Sequence, residues 1–492
     1  MRPTASTPST SGLAALIRAR AQGRSDAVFL EAGPGDADPE PRRLTFAELG
    51  ELARRRSAQL QATTVPGARV ALAIADPVDL AAAFVTIVAA GRTAVPLDPD
   101  APIADLRRTV GRVRPDALLT DRAELAGLGL PLLAVAPEAS ADGPADTEVS
   151  GAVLLSTSGS TGEPKSVILS EARILHVAEA VATHNELTPA DRGFNCLPLF
   201  HINAEVVAVL ASLYAGATLV LARRFVRTDF WVRLADARIT WLNAVPAILA
   251  ILSAQELPPP LPGLRFIRSA SAPLPAAVRE RVSALAVPLV ESYGMTEAAS
   301  QITATPLHGS APARSCGRPV GVELEIRDDA GQPVPAGTVG RVTIRGASVI
   351  AGYDGGRDAA RFDGAGWLDT DDIGHLDDDG FLYLAGRRGD AVNRGGELVY
   401  PREIEEVLQD DPGVREVVVT GRDDEVLGAV PVAFVIPTDP AAPTDDLRRR
   451  LAERCSRQLA RAKRPAVIEV VEELPRAATG KVARHRLARL GS

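Results

Sequence analysis

The stretch Val153–Ser166, VLLSTSGSTGEPKS, decides how the chain reads. Val153–Ser156 is a short apolar run with the look of a buried strand. It passes directly into Thr157, Ser158, Gly159, Ser160, Thr161 and Gly162, with Lys165 close behind. Glycines let a backbone turn its N–H groups toward an anion, hydroxyls add donors, and a lysine adds a full positive charge. A polyphosphate needs that combination. Gly159 to Lys165 is spaced G-x-x-G-x-x-K, so the GxxxxGK[ST] loop of motor and transport ATPases is absent. The plainer reading of the same letters is a polar loop after a strand.

Lysine itself is scarce. Of 54 lysines and arginines, only Lys165, Lys463 and Lys481 are lysine. A GC-rich coding bias accounts for the arginines. A lysine that survives such a bias marks a position where a compact point charge serves and a planar fork does not.

Outward from the loop the chain is layered. Val70–Ala75, Thr93–Pro96, Ala117–Thr120, Thr218–Leu221, Trp241–Val245 and Leu264–Ser269 read as strands, separated by helices such as Phe46–Ala62 and Pro77–Ala90. That alternation predicts an α/β fold with buried, largely parallel strands. From Val320 to about Leu384, alternating runs with Gly/Asp turns predict a β-rich antiparallel section. The last hundred or so residues read as a small α+β unit. Pro401 suits the first turn of the helix PREIEEVLQ. Thr444 is placed to cap a helix whose Leu447, Leu451, Cys455 and Leu459 form one apolar stripe. Residues 386–396, GRRGDAVNRGG, read as a hinge or linker. The expected division is a large N-terminal domain, 1–386, and a small mobile C-terminal domain, 387–492, turning about 387–390.

Composition narrows the function. With 46% hydrophobic and 24% charged residues the chain can bury a large core. A net charge of −8 argues against nucleic acid and anionic lipid as partners. The start, MRPTASTPSTSG, has no apolar stretch for secretion, and the long uncharged run Val206–Ala222 reads as buried core rather than a membrane span. Cys196, Cys316 and Cys455 are too few for a disulfide framework, and the histidines show no metal spacing. A cytoplasmic location is the expectation.

STSGSTGEPKS resembles the phosphate loop of the adenylate-forming superfamily, which includes acyl-CoA synthetases, carrier-loading adenylation domains and luciferases. Further motifs similar to that family's follow in order across roughly residues 45–485. In ESYGMTEAASQ, Glu291–Gln301, the resemblance implies a nucleotide pocket that includes Glu291 and Ser292. It puts Tyr293 on adenine, Thr296 at the α-phosphate and Glu297 on Mg²⁺; a hard cation between phosphates wants carboxylate oxygen. By itself YGMTE also reads as a loop entering a helix. RSASAPLP places Ser271, Ala272 and Pro273 at the adenine pocket, with Ala270 where the family more often has glycine.

In GWLDTDDIGHLDDDGFLYLAGRRGD, Asp372 matches the aspartate that holds both ribose hydroxyls, and Arg387 matches a second ribose or phosphate contact. The family's Thr-Gly-Asp is here Thr370-Asp371-Asp372, adding a carboxylate near the phosphates. LPRAATGKVARHRL resembles the terminal motif, whose lysine, here Lys481, reaches the carboxylate and α-phosphate as a mobile transition-state clamp. CLPLFHINAEVV resembles CoA ligases, where the histidine, His201, borders the carboxylate and the thiol path; beside Phe200 and Ile202 it also reads as a core residue. Asn203, Glu205, Asn243 and Ser269 make the acyl region polar, which points to a short, polar or aromatic acid rather than a long chain. NRGGELVYPREIEEVL matches the segment lining the pantetheine tunnel, with Gly395 and Gly396 leaving room for a thiol arm. Ser166 and Gly389 also depart from the family pattern; Gly389 stands at the usual hinge residue.

The resemblance implies an AMP-forming acid–thiol ligase that uses ATP and Mg²⁺ and passes an acyl-adenylate to CoA. A carrier-protein thiol, an amine or nitrite-type chemistry is the alternative on the acceptor side. A catalytically silent nucleotide-binding homologue is the alternative of another class.

Overall fold

A computed structural model describes residues 12–33, 42–137, 149–157, 165–255, 261, 263–441, 443–476, 482 and 484–487. Two mixed sheets carry most of the N-terminal part. The six-stranded sheet runs in the order Leu132–Leu133, Ala117–Thr120, Arg69–Ala73, Thr93–Pro96, Ala152–Thr157, Lys165–Ser170. Its first five strands are parallel and the last returns antiparallel. The nine-stranded sheet has six parallel strands at its centre, in the order Leu289–Met295, Phe266–Ala270, Trp241–Ala244, Arg192–Asn195, Thr218–Leu221, Val28–Ala32. Antiparallel strands Ser300–Ala304 and Arg318–Pro319 close one edge, and Arg43–Thr45 the other.

The expected α/β layering is therefore present, with strand ends within a residue or two of the apolar runs. Helix Phe46–Thr63 starts with a capping box between Thr45 and Glu48. Helix Pro77–Ala89 has Asp76 as its cap and Pro77 in its first turn, and is buried along nearly its whole length. The uncharged run Val206–Ala222 lies almost wholly inside, spread over a π-helix, Asn203–Leu210, a short helix, Ala211–Ala215, and the strand Thr218–Leu221. Trp241 is fully buried and stacks on Phe266. A side chain at Gly193 on the neighbouring strand would meet that indole at 2.5 Å, so the close approach requires glycine there.

The β-rich section is a four-stranded antiparallel sheet, Glu323–Arg327, Gly340–Arg345, Leu368–Leu376, Leu382–Arg387. Beyond it, strands Val414–Asp424 and Gly428–Pro437 form a long hairpin, and Val467–Val470 adds in parallel. Helices Pro401–Gln409 and Thr444–Gln458 close its core through Ile404, Val407, Leu447, Leu451 and Cys455.

Two local expectations are corrected. Thr444 is the first residue of its helix and makes no capping bond; Pro443 holds the cap position, and Asp445 and Asp446 complement the helix dipole in the first turn. Residues 386–396 are not a plain linker. They contain a 3-10 turn, Arg388–Asp390, and a tight hairpin, Val392–Arg394 with Glu397–Val399. Gly395 and Gly396 have φ of 63° and 93°, the left-handed conformation that such a two-residue turn demands.

Candidate active site

The phosphate-loop candidate is flanked by two paired antiparallel strands, Ala152–Thr157 and Lys165–Ser170. Thr157 ends one strand and pairs directly with Lys165, which begins the next. Lys165 is thus a strand residue, not the tail of a loop, and the cross-strand pair fixes both ends of the segment between them. Ser158, Gly159, Ser160, Thr161 and Gly162 lie outside the described residues. Lys165 Nζ forms an ion pair with Asp358 and sits 5.3 Å from the centroid of the Tyr353 ring. Its ammonium holds the Asp358 carboxyl below its usual range.

The YGMTE segment does not enter a helix. Strand Leu289–Met295 reverses through a 3-10 turn, Thr296–Ala298, into strand Ser300–Ala304. The reversal is so tight that a Cβ on Gly294 would overlap the Ser300 carbonyl oxygen, and Ala299 and Ser300 both take positive φ. Thr296 and Glu297 sit on this turn. The Glu297 carboxylate is buried; its Oε1 accepts a hydrogen bond from the Tyr353 hydroxyl at 2.6 Å and lies 3.8 Å from Arg361 Nη1. Arg361 also donates to the Tyr353 hydroxyl and, at 2.8 Å, to the Asp369 carbonyl. Burial first, then the Glu297 charge, raises the Tyr353 hydroxyl, so that it stays a donor.

Among the described residues no three His, Cys, Asp or Glu side chains cluster as a metal cage. A single carboxylate suits Mg²⁺, which keeps waters and takes most of its ligands from phosphates. Glu297 fits that pattern.

Asp372 lies across from this turn on strand Leu368–Leu376. Its Oδ2 accepts from the Tyr293 hydroxyl at 2.6 Å, and Arg387 Nε lies 3.3 Å from Oδ1. Burial raises the Asp372 carboxyl, opposed by Arg387 and by the bond from Tyr293. A carboxylate has about four acceptor positions, so capacity remains for a ligand with two donors. Asp371 is turned another way. With φ of 66° it occupies a conformation that favours glycine, and its carboxylate meets Arg388 Nη2 at 2.5 Å and Arg361 Nε at 3.3 Å. The additional carboxylate is therefore committed to two arginines, and Asp372 is the one in the Tyr293 pair.

Other expected residues are more scattered. Glu291 is gripped at both oxygens by Arg279, at 2.5 and 2.7 Å, a structural pair. Ser292 accepts from Arg268 at 2.9 Å. Ser271, Ala272 and Pro273 are exposed, and Ser271, at φ 76°, accepts from Asn203 at 3.3 Å. His201 is exposed rather than a core residue, its ring 4.7 Å from that of Phe200. Gly395 and Gly396 form the two-residue hairpin turn. Lys481 lies outside the described residues. Lys463 forms an ion pair of 2.7 Å with Glu403. Burial pushes the Cys196 thiol up to about 12 and Cys455 up to about 11, so neither is a thiolate nucleophile.

Tyr353, Asp358 and Arg361 carry much of this geometry without any sequence signal, and Arg388 does so from inside the GRRGD motif, where nothing marks its role. The first three come from AGYDGGRDAARF, residues 351–362, a polar glycine-rich stretch that reads as turn. Arg268 does carry a signal in the sequence, a cation in the middle of an apolar strand.

Residues 17–354 match the AMP-binding enzyme family and 403–481 match the AMP-binding enzyme C-terminal domain. The chain belongs to this adenylate-forming family. Among its relatives, a sulfoacetate–CoA ligase of Cupriavidus necator is 37% identical over 76% of each chain. An oxalate–CoA ligase of Arabidopsis thaliana is 32% identical over 90% of this chain and 93% of its own. The o-succinylbenzoate CoA synthetase of Bacillus subtilis superposes with a TM-score of 0.82 at 30% identity, over 96% of this chain and 97% of that one; it has been solved with its acyl-adenylate, and also with ATP and a magnesium ion. Among the described residues no helix is long and apolar enough to cross a membrane.

Proposed function

We propose that the protein is an AMP-forming acid–CoA ligase acting on a short, polar or aromatic acid. An oxygen of the substrate carboxylate attacks the α-phosphorus of ATP, the bond to the β-phosphate breaks, and pyrophosphate leaves. The thiol of CoA then attacks the acyl carbon, AMP leaves, and a thioester forms. The observation that carries this reading is the Tyr293–Asp372–Arg387 constellation, in which a buried carboxylate retains acceptor capacity between the nine-stranded sheet and the four-stranded one. The relatives support it, since each is a CoA ligase or synthetase, and the acids in their names each carry a second acidic group.

In this reading Asp372 holds the ribose and Tyr293 flanks the base, with Arg387 as a second contact. Glu297 and Thr296 serve the phosphate end near the Thr157–Lys165 strand pair, where Lys165 supplies charge. Glu297, oriented by Tyr353, would hold Mg²⁺, which when bound neutralises phosphate charge. His201, exposed near the strand ends, borders the acyl entry. Lys481 clamps the developing charge from the small domain. That domain, residues 387–492, turns about 387–390 to exchange adenylation for thiol transfer, with CoA taken in preference to a carrier protein.

Acid-dependent ATP–pyrophosphate exchange over a panel of carboxylic acids, followed by thioester assays with CoA and with a pantetheinylated carrier protein, tests this. Exchange with at least one acid and thioester formation on CoA are expected. No exchange with any acid, in protein that still binds ATP, overturns it. Lys481→Ala should slow adenylation on the order of 10²–10³-fold and transfer from preformed acyl-adenylate far less; equal loss in both steps contradicts the role given to Lys481.

A further inference from the structure

Arg268 is 1% exposed and sits in the strand Phe266–Ala270. Among the described residues its hydrogen-bond partners are all neutral. Nη1 lies 3.4 Å from Asn203 Oδ1 and from Asn243 Oδ1. Nη2 donates to Ser292 Oγ at 2.9 Å and to Gln301 Oε1 at 3.1 Å. Burial lowers the guanidinium only to about 10, so it is charged at neutral pH. A buried charge without a counter-ion costs several kcal/mol. The buried carboxylate on the π-helix, Glu205, hydrogen-bonds to nothing among the described residues and forms no ion pair with Arg268 there. An apolar side chain would satisfy the packing more cheaply, so the packing alone does not explain arginine.

The surroundings are built for an anion. Asn195, Asn243 and Arg268 are register partners on three adjacent parallel strands, so they share one face at the strands' C-terminal ends. Ligands of open α/β sheets bind there. Two buried donors in the group, Arg268 Nε and Gln301 Nε2, have no acceptor among the described residues. The network reaches the exposed Ser271 through Asn203, at the start of a π-helix, an element often found at functional sites.

We propose that Arg268, with Asn203, Asn243 and Gln301, forms a subsite for a second anionic group on the acid substrate, a carboxylate or a sulfonate. This rests on the ligase reading above and names its substrate class: short acids with two anionic ends. Arg268 is then a specificity-determining residue that leaves the phosphoryl chemistry to other groups.

Matched pairs test it. Pyrophosphate exchange is measured with oxalate, malonate and succinate against their monoamides, and with sulfoacetate against its sulfonamide. The wild-type enzyme should favour a doubly anionic acid over its neutral partner on the order of 10²-fold in kcat/KM, as expected for a lost charge-assisted hydrogen bond in a buried site. The carboxylate and sulfonate arms show which anion the subsite takes. Arg268→Met should collapse that ratio toward one, and Arg268→Lys should restore part of it. A wild-type ratio near one overturns the proposal even if Arg268→Met does not fold. Parallel loss on both members of a pair in Arg268→Met also overturns it, since a merely structural arginine would behave that way. Exchange without preference strikes this proposal alone, whereas no exchange with any acid takes the ligase reading down with it.

Discussion

Glu205 shows what burial does to one side chain. It is enclosed in the π-helix Asn203–Leu210, and burial alone raises its carboxyl well above the ordinary range. Below the usual carboxylate range folded and unfolded chains are both protonated. Stability is then lost as pH climbs through the raised folded value, because the unfolded chain releases its proton first. Glu205→Gln has no proton to release. Its melting temperature should exceed wild type by a few degrees at neutral and alkaline pH, with the gap closing toward acid, in thermal melts across pH. Tyr353 acts on another carboxylate. Tyr353→Phe removes the donor that fixes Glu297, and it should raise the magnesium concentration for half-maximal exchange by about tenfold, given a lost hydrogen bond to a charged group. An unchanged magnesium dependence would leave Tyr353 with packing alone. Such pairs were invisible in the sequence, because Tyr353 and Glu297 meet across 56 positions and belong to no common motif.

At the scale of elements, what the sequence disclosed was the apolar half of each sheet. Thr93–Pro96, Ala117–Thr120 and Thr218–Leu221 lie where their Val/Leu/Ala runs place them. The antiparallel returns at Lys165–Ser170 and Ser300–Ala304 were not legible: one carries Lys and Ser, the other Ser, Gln and Thr, so neither shows a continuous apolar run. The site follows the same division. Motif residues Tyr293, Asp372 and Arg387 come together, while Arg361, which meets Asp371, comes from a stretch without a pattern, and Arg341 and Arg388 stand in patterned stretches that do not show their partners. The Gly395–Gly396 turn gives a clean test of backbone conformation. An added Cβ on Gly396 meets nothing within 4 Å, so Gly396→Ala should cost about 1–2 kcal/mol from its positive φ alone, read from denaturant unfolding. A cost near zero would mean that the turn adapts.

Across the whole molecule, ion pairs near the surface help tie the small α+β unit to the preceding chain. Arg314 reaches Asp410 at 2.7 Å and Glu406 at 3.8 Å, and Arg388 holds Asp369 and Asp371. Pairs that water reaches on at least one side, as these do, are each worth about 0–1 kcal/mol and weaken with salt. The arrangement of the two parts should therefore be easy to shift. Arg388→Ala, which frees the 388–390 turn from the four-stranded sheet, should broaden the distribution of inter-domain distances in single-molecule fluorescence and leave the melting temperature within a degree or two of wild type. A distribution identical to wild type would show that these pairs do not hold the orientation.

Asp372 carries one more consequence. A ligand that draws on its carboxylate must share it with Arg387, and Arg387 is the last residue before the turn on which the small unit pivots in the proposed reaction. The free energy of filling that seat and the free energy of swinging the joint then share a common term. Thermodynamic linkage makes such sharing symmetric: by whatever factor an occupied nucleotide seat favours one orientation of the joint, that orientation tightens the seat by the same factor.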